Sequence, residues 1–538
     1  MTHPNGHRLP IPVRDWGNAV VVFLVALTTR IPFRSHFAYH WDSAQFALAI
    51  GEYNIRISQP HVPGFFLYVV LGRLVNLLVG EPHAALVWLS VIAGAALAAM
   101  GYLLAATMFG SKYGLATGLI LLTSPLCWFH SEIALTTIVD SALVVSFVFV
   151  CWRAIQLGVT WTQTILLAVL LAAVAGVRQQ SAPVLIPLWL YVFGGFARPR
   201  GWKLACATAL AAGLSLLWLV PTVRSAGGLV SYIHLLRLKE QIDARMTVWG
   251  GRGMDALLIN AISIGRVCWA GLLGAGIIAL MEFVHWAVFE RLFSKETARR
   301  DCFCRANKTQ LCVLALWAVP MILFWMFMYV TMPGYMLNFF PATAILVSFG
   351  LVRFSERVVT PVPHDTPWFL YGILAVMVMT NVVVFVLSPR GTKSLLTGLP
   401  LTVAEIREHD TGLAACFRTI RQNWPSQNII VCHRYEDFYW GFRQFQYHLP
   451  EYRNVLLQRD PSLPGESAGK LWLGYKRRTE FVEGLDTSGR TTLLLVVPPG
   501  SEPDIFGGYF DLSGVRPVEG AYGRLYSLPA QALRRPPR

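Results

Sequence analysis

The chain has 538 residues, 55% of them hydrophobic and only 14% Asp, Glu, Lys or Arg, with a mean hydropathy of +0.50. A soluble chain of this length carries roughly 25% charged residues to cover its surface, so a soluble enzyme is excluded, as are the fibrous and disordered classes. The 45 Lys and Arg exceed the 30 acids by 15; in a multi-span membrane protein such an excess belongs in cytoplasmic loops, not on a nucleic-acid surface.

Taken in chain order, a short basic N-terminus (His7, Arg8, Arg14) leads into an apolar run over 18–33 without a small-residue cleavage site, which reads as an uncleaved first span. The stretch Arg34 to Pro63 holds Asp42, Glu52, Arg56, Gln59 and His61 and is too polar for the bilayer core. Residues 65–79 are apolar, with Arg73 in the middle, and fall short of the roughly 20 residues a spanning helix needs. They are predicted to lie as an amphipathic helix in the membrane interface, so that 34–83 forms one outer loop. Ten further spans are predicted near 84–108, 113–130, 138–156, 161–177, 181–197, 202–222, 262–288, 309–331, 340–357 and 367–388, about eleven in all.

Charge tests that parity. Lys112, Arg153, the run Arg198 to Lys203, the loop Arg291 to Lys308 with Arg299, Arg300 and Arg305, and the stretch Arg353 to His364 all fall on the side of the N-terminus. Counting 65–79 as a full span would move the clusters downstream of it outside, so the positive-inside rule supports the interfacial helix, with the N-terminus in and the C-terminus out. Residues 389–538 then form an outer α/β domain, with a helix predicted over 403–423 and strands near 428–432, 454–457, 470–473 and 492–497.

Most of the nine cysteines lie in apolar runs and read as small buried hydrophobes. Cys302 and Cys304 lack a second pair at zinc spacing; Cys416 and Cys432 lie in the polar C-terminal region, where a disulfide can form if that region is extracytoplasmic. There is no Gly-rich phosphate loop, no His-Glu-x-x-His pair and no nucleophile elbow. The chemistry concentrates instead in the outer loops. Asp42 stands just after the first span; spacing alone fits a capping or solvated acid as well as a functional one. His61 is bracketed by Pro60 and Pro63, and Glu132 and Asp140 stand at the next outer turn. A carboxylate at a membrane rim is a functional candidate unless solvated or paired. The outer loop 223–261 carries Arg224, Arg237, Lys239, Arg245 and Arg252 against the charge rule, which asks for an anionic partner such as a lipid phosphate.

The order of these features resembles the GT-C glycosyltransferases, in the branch of the protein O-mannosyltransferases and lipid A aminoarabinose transferases. An acid after span one is similar to Asp42, and a Pro-rich turn into an interfacial helix is similar to Gln59-Pro-His-Val-Pro-Gly64. A second outer turn with an acid resembles Glu132 to Asp140, and a late Arg-Tyr-Leu-Leu-Pro turn resembles Gly334-Tyr335-Met-Leu-Asn-Phe-Phe-Pro341. The likeness covers about 1–390. It departs at Ser43, where mannosyltransferases have Glu, and at Gly334, where Arg is common.

The resemblance implies a polytopic α-helical membrane protein of GT-C fold, with residues 1–388 as the catalytic domain and 389–538 outside a bacterial inner membrane. It implies a polyprenyl-phosphate-linked sugar as donor, a lipid, glycan or protein hydroxyl as acceptor, and an inverting single displacement with Asp42 as base. His61, Glu132, Asp140, Arg56 and Tyr335 become candidate substrate contacts, and Arg178, Arg237 and Lys239 candidate phosphate ligands. No cofactor is expected; related oligosaccharyl enzymes need a divalent metal, but no ligand cluster here argues for one. The rival function is a transporter or flippase, which would set ionisable groups near the midplane on broken, repeated helices.

Overall fold

The computed structural model describes residues 11–244, 246–250, 252–293, 307–359, 368–388, 399–433, 439–458, 479–481, 485–501, 510, 512, 514–520 and 523–532. The chain is helical as far as Val386 and mixed α/β from Val403. The helices are α1 (Val13–Arg30), α2 (Trp41–Gly51), α3 (Phe66–Val79), α4 (Pro82–Phe109), α5 (Ser111–Thr123), α6 (Pro125–Ser131), α7 (Thr136–Leu157), α8 (Trp161–Val177), α9 (Ser181–Val184) and α10 (Ile186–Phe196). They continue with α11 (Arg200–Ala226), α12 (Leu229–Ala244), α13 (Gly253–Leu272), α14 (Gly274–Phe293), α15 (Lys308–Phe327), α16 (Phe340–Val359), α17 (Trp368–Val386), α18 (Val403–Asn423) and α19 (Phe442–His448).

Helix α4 is apolar on every side and packs against α1, α3, α5 and α7, so it forms the centre of the bundle. It starts where Glu81 accepts the N–H groups of His83 and Ala84, with Pro82 in the first turn. Among the described residues, seven helices are long and apolar enough to cross a membrane. Helix α3 has only 14 residues and leaves Leu74, Leu77 and Leu78 exposed. Its mid-helix Arg73 donates to the carbonyls of Ile50 and Ala49 at 2.9 and 3.0 Å. A cation there answers the negative end of α2, so the charge that shortens the apolar run is a cap.

Three predicted spans are broken. The run 113–130 divides into α5 and α6 at Ser124, and 181–197 divides at Leu185; Pro125 and Pro187 stand in the first turn of the second halves, where a missing N–H is harmless. The run 262–288 divides at Leu273, whose φ of +44° no continuous helix accepts. Helix α13 packs on α15 and α6, whereas α14 packs on α16, so one predicted span is two helices with different neighbours. The basic loop residues Arg299, Arg300 and Arg305, together with Cys302, Cys304 and Arg245, lie outside the described residues.

The C-terminal part is a six-stranded sheet of order β3-β2-β1-β4-β6-β5, from β1 (Ile429–His433), β2 (Arg453–Gln458), β3 (Thr479–Phe481), β4 (Thr492–Val497), β5 (Val518–Gly520) and β6 (Gly523–Pro529). Strands β1 to β4 pair in parallel and β6 runs antiparallel to β4 and β5. Strand β1 is buried along its whole length, between Leu413 and Phe417 on one face and Phe510 and Leu485 on the other. The predicted strand at 470–473 lies outside the described residues. Cys416 and Cys432 are separate buried thiols, which corrects the disulfide considered for them.

Candidate active site

Helix α2 begins because His40 turns Nδ1 to accept the Asp42 N–H at 3.2 Å. Asp42 thereby stands in the first turn, where aligned N–H dipoles favour an anion. Burial acts the other way and pushes its carboxyl up to about 7, although Lys239 and Arg178 pull it down. His61 Nδ1 lies 3.3 Å from Asp42 Oδ1 and 2.8 Å from Gln45 Oε1. Gln45 also accepts the His61 backbone N–H at 3.1 Å. A neutral imidazole has one proton to donate, and the shorter contact to Gln45 takes it. Burial and the nearby Lys239, His40, Arg178 and Arg443 hold His61 neutral, well below its ordinary pKa. Asp42 Oδ1 is therefore left without a hydrogen-bond donor, the condition of a carboxylate able to take a proton.

The turn that carries His61 depends on Gly64. Its φ is +113°, and a Cβ there would stand 2.7 Å from the Tyr53 hydroxyl and 2.8 Å from the Thr222 side chain. The missing side chain lets the loop close onto α11.

Asp42 and His61 open on a cavity of about 430 Å³ that also exposes Arg178, Lys239, Tyr329 and Tyr335. Arg178 caps the end of α8 and is only 4% exposed. Its guanidinium lies over the rings of Tyr335 (4.8 Å) and Trp325 (5.9 Å). With its amide oxygen turned to Arg178, Gln180 accepts from Nη2 at 2.7 Å and Nε at 3.2 Å. These hydrogen-bond and ring partners are neutral, so the cation is left to act on the Asp42 carboxyl and on an anion in the cavity. Opposite, Lys239 pairs with Asp243 at 2.9 Å, and the Tyr329 hydroxyl donates to the same Asp243 oxygen at 3.0 Å.

The structure thus brings Asp42, His61, Arg178, Lys239 and Tyr335 together. The other candidates stand elsewhere. Glu132 is fully buried and does not line the cavity, and the Trp128 indole lies close enough to favour its charged form. Burial pushes its pKa well up, opposed by Arg30, which donates to the carbonyls of Ala26 and Leu122 at 3.1 and 2.9 Å. Asp140 accepts from Ser181 at 2.7 Å and from Asn338 at 2.8 Å, and so fastens the turn Pro333–Asn338 to α7 rather than lining the cavity. Arg56 donates to the Ala226 carbonyl at 3.0 Å, tying its loop to the end of α11. Arg237 is exposed on α12, away from the cavity.

Sequence reasoning passed over Asp243, Tyr329, Gln180 and Gln45. The i, i+4 spacing of Lys239 and Asp243 on one helix face was the available signal. Among the described residues, no three His, Cys, Asp or Glu side chains are grouped to hold a metal ion.

No protein-family model and no curated protein matches the sequence. Among solved structures the chain is similar to ArnT from Cupriavidus metallidurans in the apo state, at 13% identity and a TM-score of 0.53, over 96% of this chain and 97% of that one. It is equally similar to the same protein bound to undecaprenyl phosphate, at 13% identity and a TM-score of 0.53 over the same shares of the two chains. A looser likeness, at 11% identity and a TM-score of 0.48 over 89% of this chain and 69% of that one, is to the oligosaccharyltransferase of Archaeoglobus fulgidus. The likeness is one of fold: the chain shares the fold of ArnT over nearly its whole length and is an integral membrane protein.

Proposed function

We propose that this chain moves a sugar from a polyprenyl-phosphate carrier to a hydroxyl acceptor on the extracytoplasmic face of the membrane. The observation that carries this is the convergence, in one cavity, of an acid lacking a hydrogen-bond donor on one oxygen (Asp42) with two cations (Arg178 and Lys239). The acceptor oxygen attacks the anomeric carbon as its proton passes to Asp42. The bond from that carbon to the phosphate oxygen breaks, the lipid phosphate leaves, and the configuration inverts. Asp42 supplies general base catalysis. Arg178 and Lys239 stabilise the phosphate as its charge grows, and Tyr335 and Trp325 keep Arg178 in place. ArnT, which shares the fold, binds undecaprenyl phosphate, and that supports a polyprenyl-phosphate donor here.

Charge supports this face. The basic loops predicted on the side of the N-terminus favour the cytoplasm, and on that reading the cavity and residues 389–538 lie outside. A flippase would distribute its ionisable groups along a path through the bilayer, whereas those lining this cavity cluster at one end of the bundle.

The test is transfer of a radiolabelled polyprenyl-phospho-sugar by purified wild type and Asp42→Asn in the presence of membrane extract as acceptor source. Transfer by the wild type and its loss in a folded variant are expected. Equal transfer by both would refute the role of Asp42, and none by a folded wild type would refute the donor class.

A further inference from the structure

The cavity belongs to the helical part of the chain, yet the loop that shapes it is held by the C-terminal part. Asp410, on α18 and 6% exposed, accepts the backbone N–H groups of His36 and Phe37 at 2.8 and 3.1 Å. His448, at the end of α19, accepts the Ala38 N–H through Nε2 at 3.1 Å. These contacts fix the segment just before Asp42. At the other end Arg443, 1% exposed, reaches back to donate to the Ile57 carbonyl at 2.6 Å. Its second amino group donates to Gln446 at 2.8 Å, which sets the angle of the guanidinium. Between these anchors, Trp41 packs with Phe442 and Leu456 and stacks on His61 at 6.4 Å between ring centroids.

Burying an arginine is costly unless its donors are met. An apolar side chain would close the same gap without burying a charge, so the guanidinium asks for a reason beyond packing. Its location offers one. Ile57 lies four residues before His61, in the turn whose backbone passes through Ser58 at a φ of +53°. The Arg443 charge also reaches His61 from the domain side.

We propose that Arg443 is a positioning residue of the reaction at Asp42: from the C-terminal domain it holds the 57–61 turn so that neutral His61 stays bonded to Gln45 and leaves Asp42 free to accept a proton. This rests on the function proposed above. Among the described residues, the charged and titratable groups facing His61 are Asp42 and His40 of the α2 region, Arg178 of the α8 end, Lys239 of α12 and Arg443 of α19. Of these, Arg443 alone comes from beyond the bundle. Without it His61 loses both an anchor and one cation that opposes its protonation. A protonated His61 takes Asp42 as its counterion, and the base is withdrawn.

The experiment measures transfer by Arg443→Met and Arg443→Lys beside wild type and Asp42→Asn, across about pH 5.5–9, a range that covers histidine titration. Arg443→Met is expected to lower kcat by about ten- to a hundredfold, with the donor KM within about threefold of wild type and the acidic limb of kcat moved to higher pH. Arg443→Lys keeps the charge but reaches less far, so its kcat falls between the two while the acidic limb stays where it was. If Arg443→Met does not fold, a kcat of Arg443→Lys at least about threefold below wild type still supports the proposal. A wild-type kcat and pH profile in folded Arg443→Met overturns it, as does failure of both variants to fold, which would make Arg443 a stability residue alone. If Asp42→Asn transfers as well as wild type, the reading of the site fails first, and the two failures are told apart.

Discussion

Asp42 and Glu132 are both acids enclosed near the same end of the bundle, both have a carboxylate oxygen without a donor, and both stand in the field of arginines. Only Asp42 opens on a cavity. Glu132 faces Arg30, whose guanidinium is spent on two helix carbonyls, inside fully packed surroundings. Asp140 makes a third case, with one oxygen bonded to Ser181 and Asn338. Burial and a nearby cation raise or lower a pKa, but they do not make a catalytic acid. Access to a reacting atom does, together with a cation whose own partners are neutral, as those of Arg178 are.

Breaking that contrast starts with Asp42. Asp42→Asn is expected to lower transfer by about 10²–10⁴-fold, the usual contribution of a positioned base, measured as initial rate per folded molecule. The same variant separates catalysis from stability. The Asp42 carboxyl is raised from its ordinary 3.8 to about 7, so in the wild type its stabilising contribution is complete below about 4 and is lost as pH rises through about 7. Asn carries no such loss. The Tm of Asp42→Asn relative to wild type is therefore expected to rise between pH 4 and pH 8, and a falling difference would contradict a buried, raised carboxyl.

Arg178→Gln is expected to raise the donor KM by about tenfold or more, the worth of a charged hydrogen bond. It should also move the acidic limb of kcat/KM to higher pH, because one of the two cations that hold the Asp42 pKa down, Lys239 and Arg178, is gone. Asp140→Ala is expected to cost about 1–3 kcal/mol of stability by stranding Asn338 and Ser181, read as a lowered Tm, while Asp140→Asn, which keeps an oxygen acceptor, loses much less. The smallest effects belong to Glu132→Gln and Arg237→Ala, each expected to stay within about threefold of wild-type transfer. A large loss in Glu132→Gln would erase the contrast with Asp42.

Much of the fold could be read because its signals are local. Thr402 and Glu405 mark the start of α18, where the Thr402 hydroxyl accepts the Glu405 N–H, and the run over 492–497 is strand β4, buried from Leu493 to Val497. The break at Leu273 could not be read, because nothing in Leu-Leu-Gly-Ala-Gly distinguishes a kink from a flexible helix interior. In the site, chemistry singled out Asp42 and His61, and helix phase explains one miss. Arg237 and Lys239 are two residues apart, about 200° around α12, so only one of them can face the cavity. Glu132 stood among the candidate substrate contacts because sequence carries no record of which buried acid borders empty space. Arg443 was invisible for another reason: its contact with Ile57 spans 386 positions.

The most direct measurement is a cryo-EM structure of the protein in lipid nanodiscs with undecaprenyl phosphate. Phosphate density between Arg178 and Lys239, on the same side of the cavity as Asp42, is the expected result. A lipid phosphate bound away from both cations, or no bound lipid phosphate at saturating concentration, would contradict the assignment of this cavity to donor binding.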